Sequence, residues 1–419
     1  MEQTPGYSIK AAKFVALLYK NHIPIEKVNL SFNPVLHEIT ENSREVLPGF
    51  VFVASKGTQV DSHKFIKEAL EKGALLCVGE PDKENLLKIC PNYVTIPRTR
   101  LFLSEVASAF YRNPSKKIKV IGITGTNGKT TTSYLLRKIF GKCALMGTVK
   151  YLLPSGKEIE LPSHLTTPPA TAIQRFLRES LKEFSIFGKI FGRAFAVMEV
   201  SSHALATHRV NGVRFSAVVF TNLSRDHLDF HKTMEGYRRA KLKLFEMALP
   251  ESPGIINRDD ENFPYFWQAK RGIKYSYGFS KSADYRIENI ISTWEGTELT
   301  VGILREKRKK GEIVIWSPLS GKHNAYNITA AFATAHSLGV PIKRIKDALK
   351  TAKGAPGRME KIISREGKIV AVVDYAHTPD AMENILKALR NLPHTYLITV
   401  FGAGGNRDRG KRPLMAQVG

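Results

Sequence analysis

The stretch Ile123-Thr-Gly-Thr-Asn-Gly-Lys-Thr-Thr-Thr132 decides the fold of the chain around it. Residues 118–123 form a short β-branched run typical of a buried strand, and residues 133–140 have the apolar spacing of an amphipathic helix. The backbone N–H groups of Gly125 and Gly128 can approach a phosphate closely, and the helix N-terminus adds positive potential. The stretch therefore predicts a phosphate-binding loop.

Two side chains of this loop suit a nucleotide and its metal ion. Lys129 supplies a charge for the β- and γ-phosphate oxygens, and the Thr130 hydroxyl suits Mg²⁺. The strict phosphate-loop pattern has glycine where this chain has Ile123, and the glycine stands at Gly125 instead. The loop is therefore a variant, and a plain strand–helix turn containing Gly-Lys-Thr is the alternative.

The composition indicates a globular protein of two or three domains. Of its 419 residues, 43% are hydrophobic and 24% are charged, and the three cysteines lack metal-ligand spacing. No stretch has the length and apolarity of a membrane span. We expect a soluble, cytoplasmic protein without membrane insertion.

The formal net charge of +25 raises the possibility of nucleic-acid binding. The basic residues are scattered, however, and the densest run, residues 305–310, resembles the tip of a hairpin. A positive field would equally attract an anionic nucleotide substrate. A basic nucleic-acid-dependent ATPase with a phosphate loop stays an alternative, although no basic face with stacking aromatic residues is recognisable.

Two strand ends beyond the loop carry polar residues. The predicted strand 194–200 contains Glu199 at its carboxyl end, where a carboxylate can bind Mg²⁺ directly or through water. The next strand, residues 217–221, leads into a segment with His227 and His231, whose spacing could also suggest zinc. Hard oxygen ligands beside a phosphate loop favour Mg²⁺, and the role of the histidines stays open.

Proline- and glycine-containing connections divide the chain into three predicted domains: 1–115, 116–355 and 356–419. Residues 262–320 alternate apolar and polar side chains, as in a small antiparallel region. The last domain is predicted to hold a pair of parallel strands and a helix: 369–373, 395–401 and 379–391.

Taken together, the motifs resemble those of the Mur ligases, the ATP-dependent amide-forming enzymes of peptidoglycan synthesis. The similarity rests on the loop, on the glycine-rich run after Gly402, and on these motifs: Thr166-Thr-Pro168, Met198-Glu-Val-Ser-Ser-His203, Thr221-Asn-Leu-Ser-Arg-Asp-His-Leu-Asp-Phe-His231, Pro356-Gly-Arg-Met-Glu360 and Asp374-Tyr-Ala-His-Thr-Pro-Asp380. It implies an α/β, three-domain architecture with a central parallel-sheet ATPase domain and an incomplete, Rossmann-like C-terminal domain. The variant loop is the form that this family has.

The resemblance implies a ligase that uses ATP and Mg²⁺ to add a diamino acid to the D-Glu carboxylate of UDP-N-acetylmuramoyl-L-Ala-D-Glu through an acyl phosphate. The diamino acid, meso-diaminopimelate or L-lysine, is left open. A folylpolyglutamate synthetase-like ligase is the alternative within the same superfamily. The implied partners are the UDP-muramoyl-dipeptide and the diamino acid, with no nucleic acid, and a monomer is expected.

Site residues are implied by the same resemblance. Those for ATP are Gly125, Thr126, Asn127, Gly128, Lys129, Thr130 and Thr131, with Asn324 for adenine, Arg358 for the phosphates and Asp374 for the ribose. Those for the metal are Thr130, Glu199, His227 and Lys241, the last as a carbamate formed with CO₂; Lys129, Lys241 and His227 would be catalytic. Those for the substrates are Ser43, Thr58, Gln59 and Val60 for the UDP part, Thr166, Thr167, Ser201, Thr207 and Arg209 for the muramoyl-dipeptide, and Arg407 for the diamino acid. Relatives often have Gln at the position of Thr207.

One departure from the family pattern lies at the end of the chain. The resemblance would place an Asp-Asn-Pro-Arg type motif, which helps to select the amino acid, beyond the glycine-rich run, and the sequence stops at Gly419. We therefore expect binding of ATP and of the UDP-substrate, but poor ligation.

Overall fold

The computed structural model describes residues 7–57, 60–81, 86–160, 165–188, 192–305, 308–366, 368–402 and 410–419. Three of the predicted substrate residues, Thr58, Gln59 and Arg407, lie outside these ranges.

The N-terminal region is built on a five-stranded sheet with a small two-stranded sheet beside it. Its strands are β1 (Ile9–Lys10), β2 (Lys27–Leu30), β3 (Val35–Leu36), β4 (Glu38–Thr40), β5 (Phe50–Val53), β6 (Leu76–Gly79) and β7 (Asn92–Thr95). Its helices are α1 (Ala11–Lys20), α2 (Ile66–Glu71) and α3 (Thr99–Phe110). The larger sheet has the order β2-β7-β6-β5-β4, in which β2 alone runs antiparallel to its neighbour. Apolar residues of α1 and α3 pack on this sheet, which gives the region a core of its own.

The described residues of the central region form a ten-stranded sheet and eight α-helices. Its strands are β8 (Lys119–Thr124), β9 (Ala144–Met146), β10 (Tyr151–Leu152), β11 (Phe195–Glu199), β12 (Phe215–Phe220), β13 (Gly254–Asn257), β14 (Lys274–Gly278), β15 (Tyr285–Ser292), β16 (Thr297–Arg305) and β17 (Arg308–Ser317). Its helices are α4 (Lys129–Phe140), α5 (Ala170–Phe187), α6 (Ser202–Ala206), α7 (Leu228–His231), α8 (Met234–Glu246), α9 (Phe263–Ala269), α10 (Lys322–Ser337) and α11 (Ile342–Lys350).

The sheet order is β10-β9-β11-β8-β12-β13-β14-β15-β16-β17, and all neighbours from β9 to β15 run parallel. Alternate residues face opposite sides: Ala217 and Val219 pack toward α4, α10 and α11, whereas Val218 and Phe220 pack toward α5, α8 and α9. Both faces are therefore buried, as the apolar runs predict. The parallel-sheet ATPase architecture is confirmed. The antiparallel region expected at 262–320 is an extension of this sheet, formed by β15, β16 and β17.

The topology places the phosphate loop at a switch point of the sheet. The central strand β8 has β11 on one side and β12 on the other, so the chain leaves β8 where the strand order reverses. Glu199 of β11 is paired with Ile123, and Phe220 of β12 with Thr124. The carboxyl ends of the three strands consequently open one crevice, the usual place for a ligand in such sheets.

The third region contains an antiparallel hairpin and helices, not the predicted pair of parallel strands. Its elements are β18 (Glu360–Ile363), β19 (Val370–Val373), α12 (Pro379–Arg390) and α13 (Lys411–Val418). The helix prediction is confirmed, but residues 395–401 form no strand in the described part of the chain. Tyr396, Ile398 and Val400 are 84–94% exposed, and an alternating pattern without a neighbouring strand to hydrogen-bond cannot become a sheet. None of the described helices has the length and apolarity to span a bilayer.

Candidate active site

The glycines of the loop allow its backbone to turn where a side chain would not fit. Gly128 has φ +86° immediately before α4, and a Cβ atom there would lie 2.4 Å from Asn327 Oδ1. The helix starts at Lys129, one turn before the predicted start at residue 133, so the loop leads directly into its N-terminus. The loop is held by Asn222, whose carbonyl oxygen accepts from Thr126 N at 2.8 Å and whose Oδ1 accepts from Asn127 N at 2.9 Å.

Two lysines converge on this loop. Lys129 Nζ donates to the carbonyl oxygens of Gly125 and Thr126 at 2.9 and 2.8 Å, and Lys241 Nζ donates to Gly125 at 2.7 Å. Lys241 is 1% exposed, and its Nζ lies 4.5 Å from the centre of the Tyr237 ring. Burial, reinforced by the charge of Lys129, lowers the pKa of Lys241 well below its usual value. The structure therefore favours a neutral amine at Lys241.

Glu199 is the acidic centre of the crevice. Its side chain is completely buried, and its Oε2 accepts from Thr130 Oγ1 and from Thr148 Oγ1, both at 2.9 Å. Its Oε1 accepts from Thr148 N at 3.2 Å. The loop and the end of β11 thus meet at one carboxylate surrounded by hydroxyl oxygens. Thr130 and Glu199, both predicted from the sequence to bind Mg²⁺, are in direct contact. A Cβ at Gly147 would lie 2.2 Å from Glu199 Oε1, so the close approach requires glycine there.

The residues predicted to bind the muramoyl-dipeptide lie beside this carboxylate. Thr148 Oγ1 donates to Thr166 Oγ1 at 3.2 Å. Thr167 Oγ1 accepts from Ser201 N at 2.9 Å, and the Thr167 carbonyl accepts from Arg209 Nη1 at 3.1 Å. These four predicted residues therefore form one continuous polar edge around Glu199. Thr207 differs, because its hydroxyl donates back to the carbonyl of His203 at 2.7 Å and stays on its own helix.

Three histidines, His203, His227 and His231, form a cluster in the segments that follow β11 and β12. The His203 ring lies 4.9 Å from the His227 ring and 5.4 Å from the His231 ring, measured between centroids. Burial lowers the pKa of His227 to about 4 although Asp226 opposes the shift, and burial also lowers that of His231 to about 4. Their rings are therefore neutral at pH 7. In the described part of the chain, no group of three or more His, Cys, Asp or Glu side chains is placed to hold a metal, which disfavours the zinc alternative.

The predicted adenine residue is already bonded within the protein. Asn324 is 2% exposed, and its side chain donates to the Ser320 carbonyl at 2.9 Å and accepts from Asn327 Nδ2 at 3.1 Å. Asn327 Oδ1 in turn accepts from Thr132 Oγ1 at 3.4 Å. Asn324 thus supports α4 through Asn327, and its predicted contact with adenine stays a prediction.

The third region brings Arg358 and Asp374 toward the loop. The charge of Arg358 helps to lower the pKa of Lys129, after the larger effect of burial and against the attraction of Glu199. The Arg358 guanidinium lies 4.8 Å from the centre of the Tyr375 ring. The Asp374 carboxylate accepts from the backbone N–H groups of Met359 and Ala376, both at 2.7 Å. Asp374 therefore holds the turn that carries Arg358, and its contact with ribose stays a prediction.

The described residues predicted to hold the UDP part belong to the N-terminal region. The Ser43 hydroxyl donates to Glu68 Oε2 at 3.2 Å, and the Ser43 carbonyl accepts from Lys72 at 3.1 Å. Val60 is 46% exposed, and its carbonyl accepts from Gly57 N at 2.8 Å. The structure does not join Ser43 or Val60 to the cluster around Glu199 by a described contact.

Sequence reasoning missed several residues of the site. Thr148 stands in a short turn after β9 with no recognisable motif, and only its neighbour Gly147 marks the close approach. Asn222 and Asp380 lay inside motifs that were recognised, but their side-chain roles were not assigned. Asp380 Oδ2 accepts from Asn127 Nδ2 at 2.9 Å, so it contacts the loop directly.

Comparisons with known proteins identify the family of the chain. Family models match residues 123–335 (Mur ligase middle domain), 357–419 (Mur ligase, glutamate ligase domain) and 35–111 (Mur ligase family, catalytic domain). Each match falls within one predicted domain, and the exact domain boundaries stay predictions.

Relatives in sequence and structure extend over most of the chain. UDP-N-acetylmuramoyl-L-alanyl-D-glutamate--2,6-diaminopimelate ligase of Clostridium botulinum is 39% identical over 92% of this chain and 77% of its own length. A solved structure of a ligase of the same name is 32% identical, with a TM-score of 0.70 over 91% of this chain and 76% of that one. A folylpolyglutamate synthase of Mycobacterium tuberculosis is 17% identical with a TM-score of 0.53 over 70% of each chain, which is similarity of fold alone.

Proposed function

This chain belongs to the Mur ligase family, and we propose that it joins 2,6-diaminopimelate to the D-Glu carboxylate of UDP-N-acetylmuramoyl-L-Ala-D-Glu. The chain is an ATP-dependent amide ligase of peptidoglycan synthesis, as its relatives are. The choice of diaminopimelate over L-lysine rests on the names of the relatives. The single observation that carries the assignment of the site is the meeting of Thr130, Thr148 and Thr166 at the Glu199 side of the phosphate loop.

The reaction needs a carboxylate oxygen to become a leaving group. The D-Glu carboxylate attacks the γ-phosphorus of ATP, which forms an acyl phosphate and releases ADP. The amine of the diamino acid then attacks the carbonyl carbon, loses a proton, and expels phosphate as the amide forms. Because the first step brings two anions together, Lys129, Arg358 and the N-terminus of α4 would offset their repulsion. The polar edge from Thr166 to Arg209 would orient the carboxylate.

The donors around Glu199 fit a magnesium ion. A buried carboxylate with the Thr130 and Thr148 hydroxyls at 2.9 Å supplies hard oxygen atoms, which Mg²⁺ prefers. Glu199 and Thr130 would hold the ion, with His227 near a second one. When bound, Mg²⁺ neutralises charge that develops on the transferred phosphoryl group.

Lys241 is placed to become a carbamate. A neutral buried amine can attack CO₂, and the new N–C bond forms as the nitrogen gives up a proton, so a potential cation becomes an anion. That anion would supply a further oxygen ligand for the metal. The lowered pKa of Lys241 supports this proposal because a protonated amine has no free electron pair for the attack.

The direct test is a ligation assay. The protein is supplied with ATP, Mg²⁺ and UDP-N-acetylmuramoyl-L-Ala-D-Glu, together with either meso-diaminopimelate or L-lysine, and ADP and tripeptide are measured. We expect tripeptide to form with diaminopimelate in preference to L-lysine, as the names of the relatives indicate. Preference for lysine would refute the assignment of the diamino acid. Dipeptide-independent ATP hydrolysis without tripeptide would refute the ligase assignment.

A further inference from the structure

Asp380 connects the third region of the chain to the phosphate loop. It lies in the first turn of α12, whose N-cap is Thr378. Asp380 Oδ2 accepts two hydrogen bonds, from Asn127 Nδ2 at 2.9 Å and from Ser224 Oγ at 3.0 Å. Its other oxygen, Oδ1, accepts from Asn384 Nδ2 at 3.2 Å on the next turn of the helix. One carboxylate therefore bridges α12, the loop and the segment after β12.

The two donors are fixed by bonds of their own. The backbone of Asn127 donates to Asn222 Oδ1 at 2.9 Å, and its carbonyl accepts from Thr221 Oγ1 at 2.6 Å. Ser224 N donates to Thr126 Oγ1 at 3.0 Å. Because these bonds hold the donors within the central region, Asp380 docks against a rigid surface.

Asp380 belongs to a part of the third region that also carries Arg358. Tyr375 N donates to the Gly357 carbonyl at 2.9 Å, and Met359 N donates to the Asp374 carboxylate at 2.7 Å. These two bonds connect the turn that contains Arg358 to the segment that leads into α12. Other described bonds to the central region come from Lys361 Nζ, which donates to the Pro318 carbonyl at 3.0 Å, and from the Pro393 carbonyl, which accepts from Trp294 Nε1 at 2.8 Å. Neither of these involves the loop.

We propose that Asp380 is a positioning residue that seats the third region on the phosphate loop through Asn127 and Ser224 and so places Arg358 beside the bound nucleotide. This inference rests on the proposed function, in which the loop binds ATP. Hydrogen bonds to a charged group are about twice as strong as neutral ones, and two of them to a single oxygen give a directional contact. A carboxylate beside an anion-binding loop repels phosphate. The role of Asp380 is therefore to hold the third region against the loop and not to bind the nucleotide.

The test compares Asp380→Ala and Asp380→Asn in the full chain. Asp380→Ala removes both contacts, and we expect kcat/KM for ATP to fall by about 10- to 100-fold, the range for loss of a charge-assisted pair of bonds. The KM for the UDP-dipeptide should stay within about twofold, because the polar edge around Glu199 is untouched. Asp380→Asn keeps an oxygen for the two donors but replaces charge-assisted bonds by neutral ones of about half the strength, so its kcat/KM should fall by only about 3- to 10-fold.

A matched control lies on the same helix. Glu383 forms an exposed ion pair with Lys387 at 2.5 Å, so Glu383→Gln removes a charge from α12 without touching the loop. This variant should keep the wild-type kcat/KM. Equal losses in Asp380→Asn and Asp380→Ala would overturn the proposal, because charge rather than hydrogen bonding would then be responsible.

A double-mutant cycle and hydrogen exchange complete the test. Ser224→Ala should lower kcat/KM in the wild-type background and change little in the Asp380→Ala background, because its partner is already absent. If the two losses multiply independently, Ser224 and Asp380 do not interact, which would contradict the contact.

Hydrogen exchange tests the docking role in the nucleotide-free protein. Exchange should be faster in the first turn of α12 in Asp380→Ala than in the wild type, and exchange in β8 should be unchanged. Unchanged exchange refutes the docking role alone. Absence of ATP binding by the wild type, with faster exchange in the variant, refutes the proposed function alone.

Discussion

Lys129 and Lys241 donate to the same acceptor, the carbonyl oxygen of Gly125, although one lies in the phosphate loop and the other on α8. Two ammonium groups on one oxygen repel each other, and burial together with the charge of Lys129 lowers the pKa of Lys241 well below its usual value. We therefore expect Lys129 to supply the positive charge for the phosphates and Lys241 to react as an amine.

Replacing Lys241 by alanine should abolish ligation, and short-chain carboxylates should restore part of it. The added carboxylate would occupy the space of the missing carbamate and supply its anionic oxygens. Lys243→Ala, two positions further along α8, is the control and should remain active. The measurement is tripeptide formation with and without formate or acetate, and full activity of Lys241→Ala without rescue would remove Lys241 from the site.

Replacing Lys129 by alanine should abolish ADP formation without unfolding the protein. The charge that faces the phosphates is lost, which we expect to lower kcat by about 100-fold or more. The two bonds to loop carbonyls are lost as well, at a cost of about 1–2 kcal/mol in the free energy of unfolding. Substrate-dependent ADP release and denaturant unfolding check the two effects, and near-normal ADP release would contradict the loop assignment.

Replacing Glu199 by glutamine should raise the Mg²⁺ concentration needed for half-maximal activity by about 10-fold or more. Glutamine is nearly isosteric and keeps one oxygen for Thr130 and Thr148, but it lacks the negative charge that holds a divalent ion. Glu158→Gln, which removes an exposed carboxylate paired with Lys150 at 2.8 Å, is the matched control. The measurement is the rate of ADP formation as a function of Mg²⁺ concentration. Identical curves for the Glu199 variant and the wild type would exclude Glu199 as a metal ligand.

Replacing Gly128 by alanine should weaken nucleotide binding more than backbone strain alone explains. Gly128 and Gly339 have nearly the same φ, +86° and +85°, but an added Cβ meets Asn327 Oδ1 at 2.4 Å at Gly128 and nothing within 4 Å at Gly339. Gly339→Ala should therefore lower the free energy of unfolding by about 1–2 kcal/mol, the cost of the left-handed backbone conformation alone. Gly128→Ala should lose more stability and also ATP affinity, measured by calorimetry. Equal losses in the two variants would show that Asn327 moves freely.

Replacing Glu105 by glutamine should stabilise the protein at pH 8 and not at pH 5. Burial raises the pKa of Glu105 to about 7, and its Oε2 has no hydrogen-bond partner among the described residues. The folded state therefore binds a proton that the unfolded state has released, and stability falls as pH rises from about 4.5 to 7. The variant should gain about 1–3 kcal/mol at pH 8, judged by urea unfolding at both pH values. An equal gain at pH 5 would mean that ionisation is not the cause.

The sequence by itself determined the local elements around the loop. The β-branched run before Gly125 and the apolar spacing after Lys129 specify strand and helix through short-range preferences, and Thr130 and Glu199 follow from their positions at the ends of those elements. The same local reasoning failed at residues 395–401, which have the strand pattern but pair with no strand in the part of the chain that the structure describes.

Only the tertiary structure decided which distant side chains share a charge or a hydrogen bond. Lys241 is an ordinary helix lysine in the sequence, and its lowered pKa arises from complete burial beside Lys129, which no local pattern encodes. Thr148 reaches Glu199 because β9 is the parallel neighbour of β11, and Asp380 reaches Asn127 because α12 docks at the loop. The physical reason is that hydrogen bonds and desolvation depend on separations of a few ångströms between residues that only the folded sheet and its packed helices bring together.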